Sequence, residues 1–269
     1  MMPPAALQDV LPPAVGLVSL FASAGQASSC STCYLRRVCL PSTAPAEQVP
    51  QISTLTRTRL RLRRGAALYR RGDAFESLYA IRSGSFKSVG LGRAEHTKVV
   101  GLHLPADLVG LEAISSRIHE YDAVALEDSE VCVVPYDDLS RMTLYVPELQ
   151  AYLLAALSRE IVRDDGLVLH LGAMTAEQRV AKFVLSLSAR YERLGYTGTR
   201  FDVRMTRKDI ASYLGLTLET VTRVFTRLQR DGLIEAQFKE LRLTNANGLH
   251  GLLASAKTRS SIVIRASVE

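Results

Sequence analysis

The sequence predicts an α+β chain: a β-rich N-terminal half, one long helix, and a C-terminal winged helix-turn-helix. Three observations carry this. Short apolar runs separated by glycine turns fill residues 51–140. After Tyr145-Val146-Pro147 the apolar spacing changes to three and four. Residues 206–232 read as two capped helices meeting at a glycine. At 269 residues, with 47% hydrophobic and 22% charged residues, the chain has the make-up of a globular protein with ample core.

The elements follow in order. Residues 1–29 hold Pro3, Pro4, Pro12 and Pro13 among many Ala and Ser, and read as a mobile arm. The apolar stretch Ala14 to Ala24 lacks the positive flank of a signal peptide, since no Lys or Arg precedes Arg36. No run approaches the roughly 20 apolar residues of a membrane span. The chain therefore reads as cytoplasmic, with no membrane partner. A cysteine segment follows, and Ser42 to Pro50 reads as a linker, closing a first region of residues 1–50. Residues 51–145 form the β-rich domain, with runs such as Ser77–Arg82, Lys98–Leu104 and Glu130–Pro135 set off by glycine turns, the pattern of a sandwich or barrel. Arg71-Gly72-Asp73 sits in that pattern as a turn. In residues 146–172, Leu149, Leu153, Ala156, Leu157, Ile161, Leu167, Val168 and Leu171 mark a long amphipathic helix, whose apolar stripe is interrupted by Asp164 and Gly166. A second helix spans 175–195 and ends at Gly195.

Within residues 173–250, Thr206 with Asp209 three positions on is a helix-start signature. The first helix buries Ile210, Ala211 and Leu214 and stops at Gly215, which tolerates the left-handed turn. Thr217 caps the second helix, whose Val221, Val224, Phe225 and Leu228 face inward. Gly232 ends it, and Ile234–Ala236 with Leu241–Leu243 make a hairpin wing. Glu219, Thr222 and Arg223 lie near the start of the outer face, where side chains reach base edges in a major groove. Arg227 and Arg230 further along, and Arg207 and Lys208 on the first helix, suit phosphates. Charge agrees: residues 170–250 hold 13 basic and 8 acidic residues, whereas residues 1–169 hold 17 and 18. Double-stranded DNA is the expected partner. Residues 251–269 read as a frayed extension.

Three of the four cysteines form a C-x2-C-x5-C cluster, Cys30, Cys33 and Cys39; the fourth, Cys132, lies in the apolar run Val131–Val134. Clustered thiols in a cytosolic chain point to metal more than to disulfides. Zinc and an iron–sulfur cluster both take four sulfurs, and a lone strand cysteine is usually only a small core residue. The five histidines are scattered, with no nucleophile–base grouping, so no enzyme is expected.

Taken together these features resemble the CRP/FNR transcription regulators, and within them the oxygen-sensing FNR type. The resemblance runs from about Cys30 to about Asn245. It rests on the cysteine trio, Cys132, the stretch Gly101-Leu-His-Leu-Pro-Ala-Asp-Leu-Val-Gly110 and the pattern Glu219-x-x-Thr222-Arg223. It implies an N-terminal β-roll (the jelly roll of cyclic-nucleotide-binding domains), a long dimerisation helix and a winged helix-turn-helix, assembled as a homodimer. It implies that Cys30, Cys33, Cys39 and Cys132 hold an oxygen-labile [4Fe–4S] cluster that favours the DNA-binding dimer. It also implies palindromic TTGAT-like half-sites, and Ile161 and Asp164 at the dimer seam. Thr222 stands where the FNR pattern has Ser, and Leu218 where cyclic-AMP-binding relatives carry Arg. No Arg-Ser phosphate pair follows Asp107–Glu112, which disfavours cyclic nucleotide. RNA polymerase is the expected further partner, with Gly92 to His96 the candidate contact.

A seam carrying Leu153, Leu157, Ile161, Asp164 and Val168 offers a switch. Two Asp164 carboxylates meeting across a two-fold axis oppose association, while the apolar residues favour it at about 25 cal/mol per Å² buried. The rival readings are a four-cysteine zinc site insensitive to oxygen, a regulator gated by a small molecule in the roll, and an iron–sulfur redox protein.

Overall fold

The computed structural model describes residues 30–56, 58–92 and 97–254, with the backbone alone over 165–171. The expected mobile arm at 1–29, residues 93–96 of the candidate polymerase loop and the tail from 255 lie outside the described residues.

The β-rich half is a roll of two antiparallel sheets. One has the order β1 (Arg59–Leu62), β8 (Ser129–Pro135), β3 (Ser77–Ser83), β6 (Leu108–Val109); the other has β2 (Ala67–Tyr69), β7 (Asp122–Ala125), β4 (Phe86–Leu91), β5 (Thr97–His103). Ile81, Phe86, Val109, Ala123, Ala125 and Val131 fill the space between them. The first sheet is buried on both faces. Leu78, Ala80, Val134 and Cys132, one residue out of step with Ile81 and Val131, turn to its other side. That explains the unbroken apolar run around Cys132: a strand covered on both faces does not alternate. Arg71-Gly72-Asp73 is a turn, with Gly72 at φ 90° and Asp73 accepting the Arg70 N–H at 2.8 Å.

The outer face of that sheet is covered by the cysteine segment and by three helices, α1 (Val49–Leu55), α2 (Tyr136–Thr143) and the first half of α3 (Pro147–Ala173). The linker expected at 42–50 runs into α1, whose Val49, Ile52 and Leu55 are buried. Helix α3 buries Leu149, Tyr152 and Ala156 on the roll, next to Val146 just before it, and continues without a break through Asp164 and Gly166. One interior glycine costs only about 1 kcal/mol, too little to end a helix anchored on a core.

The C-terminal unit comprises α4 (Ala176–Arg193), β9 (Arg200–Asp202), α5 (Arg207–Leu214), α6 (Leu218–Arg230), β10 (Ile234–Gln237), β11 (Glu240–Leu243) and α7 (Ala246–Ala254). The wing is a sheet of order β10-β11-β9, one strand more than the expected hairpin. The start of the expected frayed extension is helical: α7 runs to Ala254 and buries Leu249 completely. Val99, Leu102, Leu104 and Leu126 of the roll join the core of this unit, so the two halves share one apolar cluster.

Candidate cysteine site and DNA-reading face

The four cysteines meet. Cys30, Cys33, Cys39 and Cys132 line one cavity of about 20 Å³, together with Leu35, Arg36, Leu40, Thr56 and Arg82. Cys132 comes from the middle of the first sheet, opposite Arg59 on β1 and Ala80 on β3. The trio is brought to it by a chain of tight turns: Cys33 N–H to Cys30 O at 3.2 Å, and Cys39 N–H to Leu35 O at 2.9 Å. The segment is not a loop without a core, because Leu35 and Leu40 are buried. α1 anchors its start. Cys30 N–H donates to Ser53 Oγ at 3.0 Å, and the Cys30 sulfur lies 3.2 Å from Thr56 Oγ1. Tyr34 donates its hydroxyl to the Arg82 carbonyl.

Burial pushes the Cys39 thiol up to about 12, and the neighbouring sulfurs of Cys132, Cys30 and Cys33 add to the shift. Burial also raises Cys132, with Arg59 pulling the other way. Glu130 takes up the excess of cations here, at 3.7, 3.1 and 2.7 Å from Arg59, Arg61 and Arg82. The Cys39 and Cys132 thiols are thus held protonated in the unloaded protein, and loading them requires proton release. Among the described residues no three His, Cys, Asp or Glu side chains close on a point as a single ion requires. A tetrahedral zinc, with sulfurs at about 2.3 Å, would need the turns to tighten. The donor set suits a thiolate-held iron–sulfur group, with Arg36 and Arg82 to offset its negative charge. The cavity now has room for about one water, so the segment Cys30–Cys39 would have to lift for such a group.

The DNA-reading motif has the expected local chemistry. Thr206 and Asp209 form a reciprocal capping box, Gly215 stands at φ 62° and ψ 40°, and Thr217 accepts the Thr220 N–H. Ile210, Ala211, Leu214, Val221, Val224, Phe225 and Leu228 are buried, which leaves Glu219, Thr222 and Arg223 on an open face. Thr222 donates its hydroxyl to Leu218 O at 2.8 Å, so its methyl and lone pairs remain for a ligand. The expected phosphate contacts divide. Lys208 is exposed, but the Arg207 guanidinium sits 3.4 Å from the centre of the Phe225 ring and is half-buried there. Arg207 thus stacks on Phe225, a contact that spacing alone did not reveal and that does not use the in-plane N–H donors of its guanidinium. Arg227 pairs with Glu177 at 3.3 Å and Arg230 with Asp231 at 3.2 Å, so a phosphate must compete with these carboxylates.

The expected seam residues differ in exposure. Leu153 is half-buried on the roll cluster, as is Leu157, while Leu154, Ile161 and Val162 are 60, 59 and 68% exposed. Replacing Leu153 by Leu154 gives 154, 157, 161, 164 and 168, a strict three-four alternation of the kind that packs two helices. Adjacent apolar residues fit a helical stripe equally well until the roll covers one of them. Asp164 is exposed on this face; the side chain of Val168 lies outside the described ones.

Residues 178–252 match the family described as Crp-like helix-turn-helix domain, and residues 59–144 the family described as cyclic nucleotide-binding domain. The transcriptional regulatory protein btr of Bordetella pertussis is 42% identical over 227 residues, covering 84% of this chain and 94% of that protein. The chain belongs to the CRP/FNR family of transcription regulators. The anaerobic regulatory protein of Haemophilus influenzae is 36% identical over 241 residues, 90% of this chain and 94% of that one. The structure of FixK2 from Bradyrhizobium japonicum aligns at 30% identity with a TM-score of 0.66, covering 72% and 96% of the two chains. The relatives from Bordetella pertussis and Haemophilus influenzae are named as regulatory proteins, and this chain is a transcription regulator of the same family.

In this CRP/FNR regulator a cavity of about 450 Å³ lies between the roll and α3. Glu112, Glu160 and Asp164 line it, with Lys98 its one Lys or Arg among the described residues. Carboxylates facing such a cavity repel a phosphate, which agrees with the missing Arg-Ser pair. His103, also in its wall, bonds Ser88 Oγ at 2.7 Å and is held by burial at about 4, hence neutral.

Proposed function

We propose that this protein is an oxygen- and redox-responsive, cytoplasmic transcription regulator. In this reading Cys30, Cys33, Cys39 and Cys132 hold a [4Fe–4S] cluster that favours a homodimer on palindromic TTGAT-like sites, and oxygen inactivates it. The observation that carries the reading is the convergence of four thiols, from a loop and a remote strand, on one cavity beneath the roll. When bound, the cluster would supply an oxygen-labile link between those two segments. The chain's own part is to enclose the sulfurs with Leu35 and Leu40, balance charge with Arg36 and Arg82, and present the open face of α3 to a second copy. Base contacts fall to Glu219, Thr222 and Arg223, and phosphate contacts to Arg207, Lys208, Arg227 and Arg230; RNA polymerase is the further partner. Anaerobic purification with iron and sulfide counts, followed by a DNA-shift assay before and after air, tests this. Four irons per chain with binding lost in air support it; zinc with oxygen-insensitive binding overturns it. The roll–helix cavity favours a second reading, gating by a small molecule, which a Cys132→Ser variant with full anaerobic activity would support.

A further inference from the structure

We propose that Tyr152 and Asp107 are positioning residues through which the cysteine site sets the placement of the DNA-reading unit, an inference that rests on the function proposed above. Four contacts in series carry it. Cys39 packs in the same buried cluster as Tyr152 of α3. The turn that follows Cys39, Leu40–Ser42, is tied to the same helix, where Thr43 donates its hydroxyl to Glu148 O at 3.2 Å. Tyr152 is buried and donates its own hydroxyl to Ala106 O at 3.3 Å. Ala106, at φ 69°, is a non-glycine residue in the left-handed region, so this turn after β5 is held in shape by its surroundings.

Asp107, the next residue, is the hub. It is buried and accepts the Leu104 N–H at 2.9 Å. Three guanidiniums converge on its carboxylate: Arg190 at 2.5 Å and Arg193 at 3.3 Å from α4, and Arg163 at 3.6 Å from α3. Arg190 also donates to Leu102 O at 2.9 Å. One carboxylate of the roll thus gathers cations from the dimer helix and from the helix that opens the DNA-reading unit. With three cations on one buried anion, small displacements of the turn redistribute strong interactions, because the local dielectric is low. Two more contacts carry a movement of the roll strands to α5: Lys87 to Asp209 at 2.5 Å, and Val99 N–H to Ser212 Oγ at 3.0 Å. A cluster that lifts the Cys39 turn would therefore press on Tyr152, on the Asp107 turn, and so on α4.

The test compares wild type with Tyr152→Phe, Asp107→Asn, Arg190→Gln and the Asp107→Asn/Arg190→Gln double variant, each with and without iron and sulfide. Iron and sulfide content should stay at the wild-type level. The ratio of DNA affinity between loaded and unloaded protein should fall about fivefold or more, the lower end of ordinary couplings between sites. The double variant should lose no more than the larger single loss, because the two residues act as one contact. Hydrogen exchange on unloaded protein gives a readout free of the cluster. Tyr152→Phe should speed exchange at residues 104–107 and in the last turns of α4, and unchanged exchange there overturns the relay whether or not the protein takes iron. Iron-replete Tyr152→Phe and Asp107→Asn variants with ratios within about twofold of wild type overturn it too. Wild type without iron overturns the proposed function instead, and the exchange result still decides the relay. If Asp107→Asn does not fold, Tyr152→Phe, which removes one hydroxyl, decides.

Discussion

Cys132 is half-buried in a β-strand, and nothing about its neighbours in sequence distinguishes it from a core cysteine. Its difference is its face: it shares a wall with Cys39 and points toward the trio. Cys132→Ser should abolish iron and sulfide binding and leave the anaerobic DNA affinity at the level of aerated protein. Its fold stability should change by no more than about 1 kcal/mol, since the substitution is nearly isosteric. Iron counts and urea melts check both halves. His103 carries a second residue-scale prediction. Its imidazole is held at about 4 by burial, against an ordinary 6.5, with Asp107 opposing the shift and Arg163 and Arg190 adding to it. A depressed folded value means the stabilisation is complete above pH 6.5 and is lost as pH falls toward 4. Between pH 7.5 and 5 this amounts to about 2 kcal/mol. Asp107, held at about 2 by Arg190 and Arg163 despite its burial, adds its loss only below about pH 4. Urea melts of wild type and His103→Gln at pH 7.5 and 5 should show a smaller pH dependence in the variant.

At the scale of elements, the helix-turn-helix was legible because its signals are local. Thr206, Asp209, Gly215 and Thr217 act within a few residues of themselves, through caps and a left-handed turn. Thr206→Ala should cost about 1 kcal/mol of the stability of the C-terminal unit, measured by thermal melting. The elements missed were those whose reason is tertiary. α1, α2 and α7 are short, and each forms where a face finds the roll or α4 to cover it. Helix α3 runs through the interruption of its apolar stripe at Asp164 and Gly166, because its first half is fixed by Leu149, Tyr152 and Ala156 on the roll and the second half continues that register. The position of Arg207 at a helix start is local, whereas Phe225 beneath it is brought there only by the fold.

At the scale of the whole molecule, α3 serves two surfaces at once. Leu153 faces the roll, and Leu154 stands open on the other side. Leu153→Ala should therefore lower fold stability by roughly 2 kcal/mol or more, as truncations in a core do, with little effect on the monomer–dimer constant of the folded protein. Leu154→Ala should do the reverse, weakening the dimer and sparing the fold. Sedimentation and urea melts on both variants separate the two. Asp164 sits on the same open face, where two copies would bring like charges together. Asp164→Ala should give dimer and DNA binding in air; a variant that still sediments as a monomer there would rule out charge repulsion as the brake.

The sequence by itself determined the order of the parts, the caps and turn of the DNA-reading motif, its basic surplus, and the set of four thiols. Each of these is written in spacing or composition, over distances the chain fixes locally. Only the tertiary structure decided that Cys132 meets the trio, that Leu154 and not Leu153 is open, that Arg207 stacks, and that Asp107 collects arginines from two helices. Those outcomes depend on which face of a strand or helix is covered by residues a hundred positions away, and no local period encodes that choice.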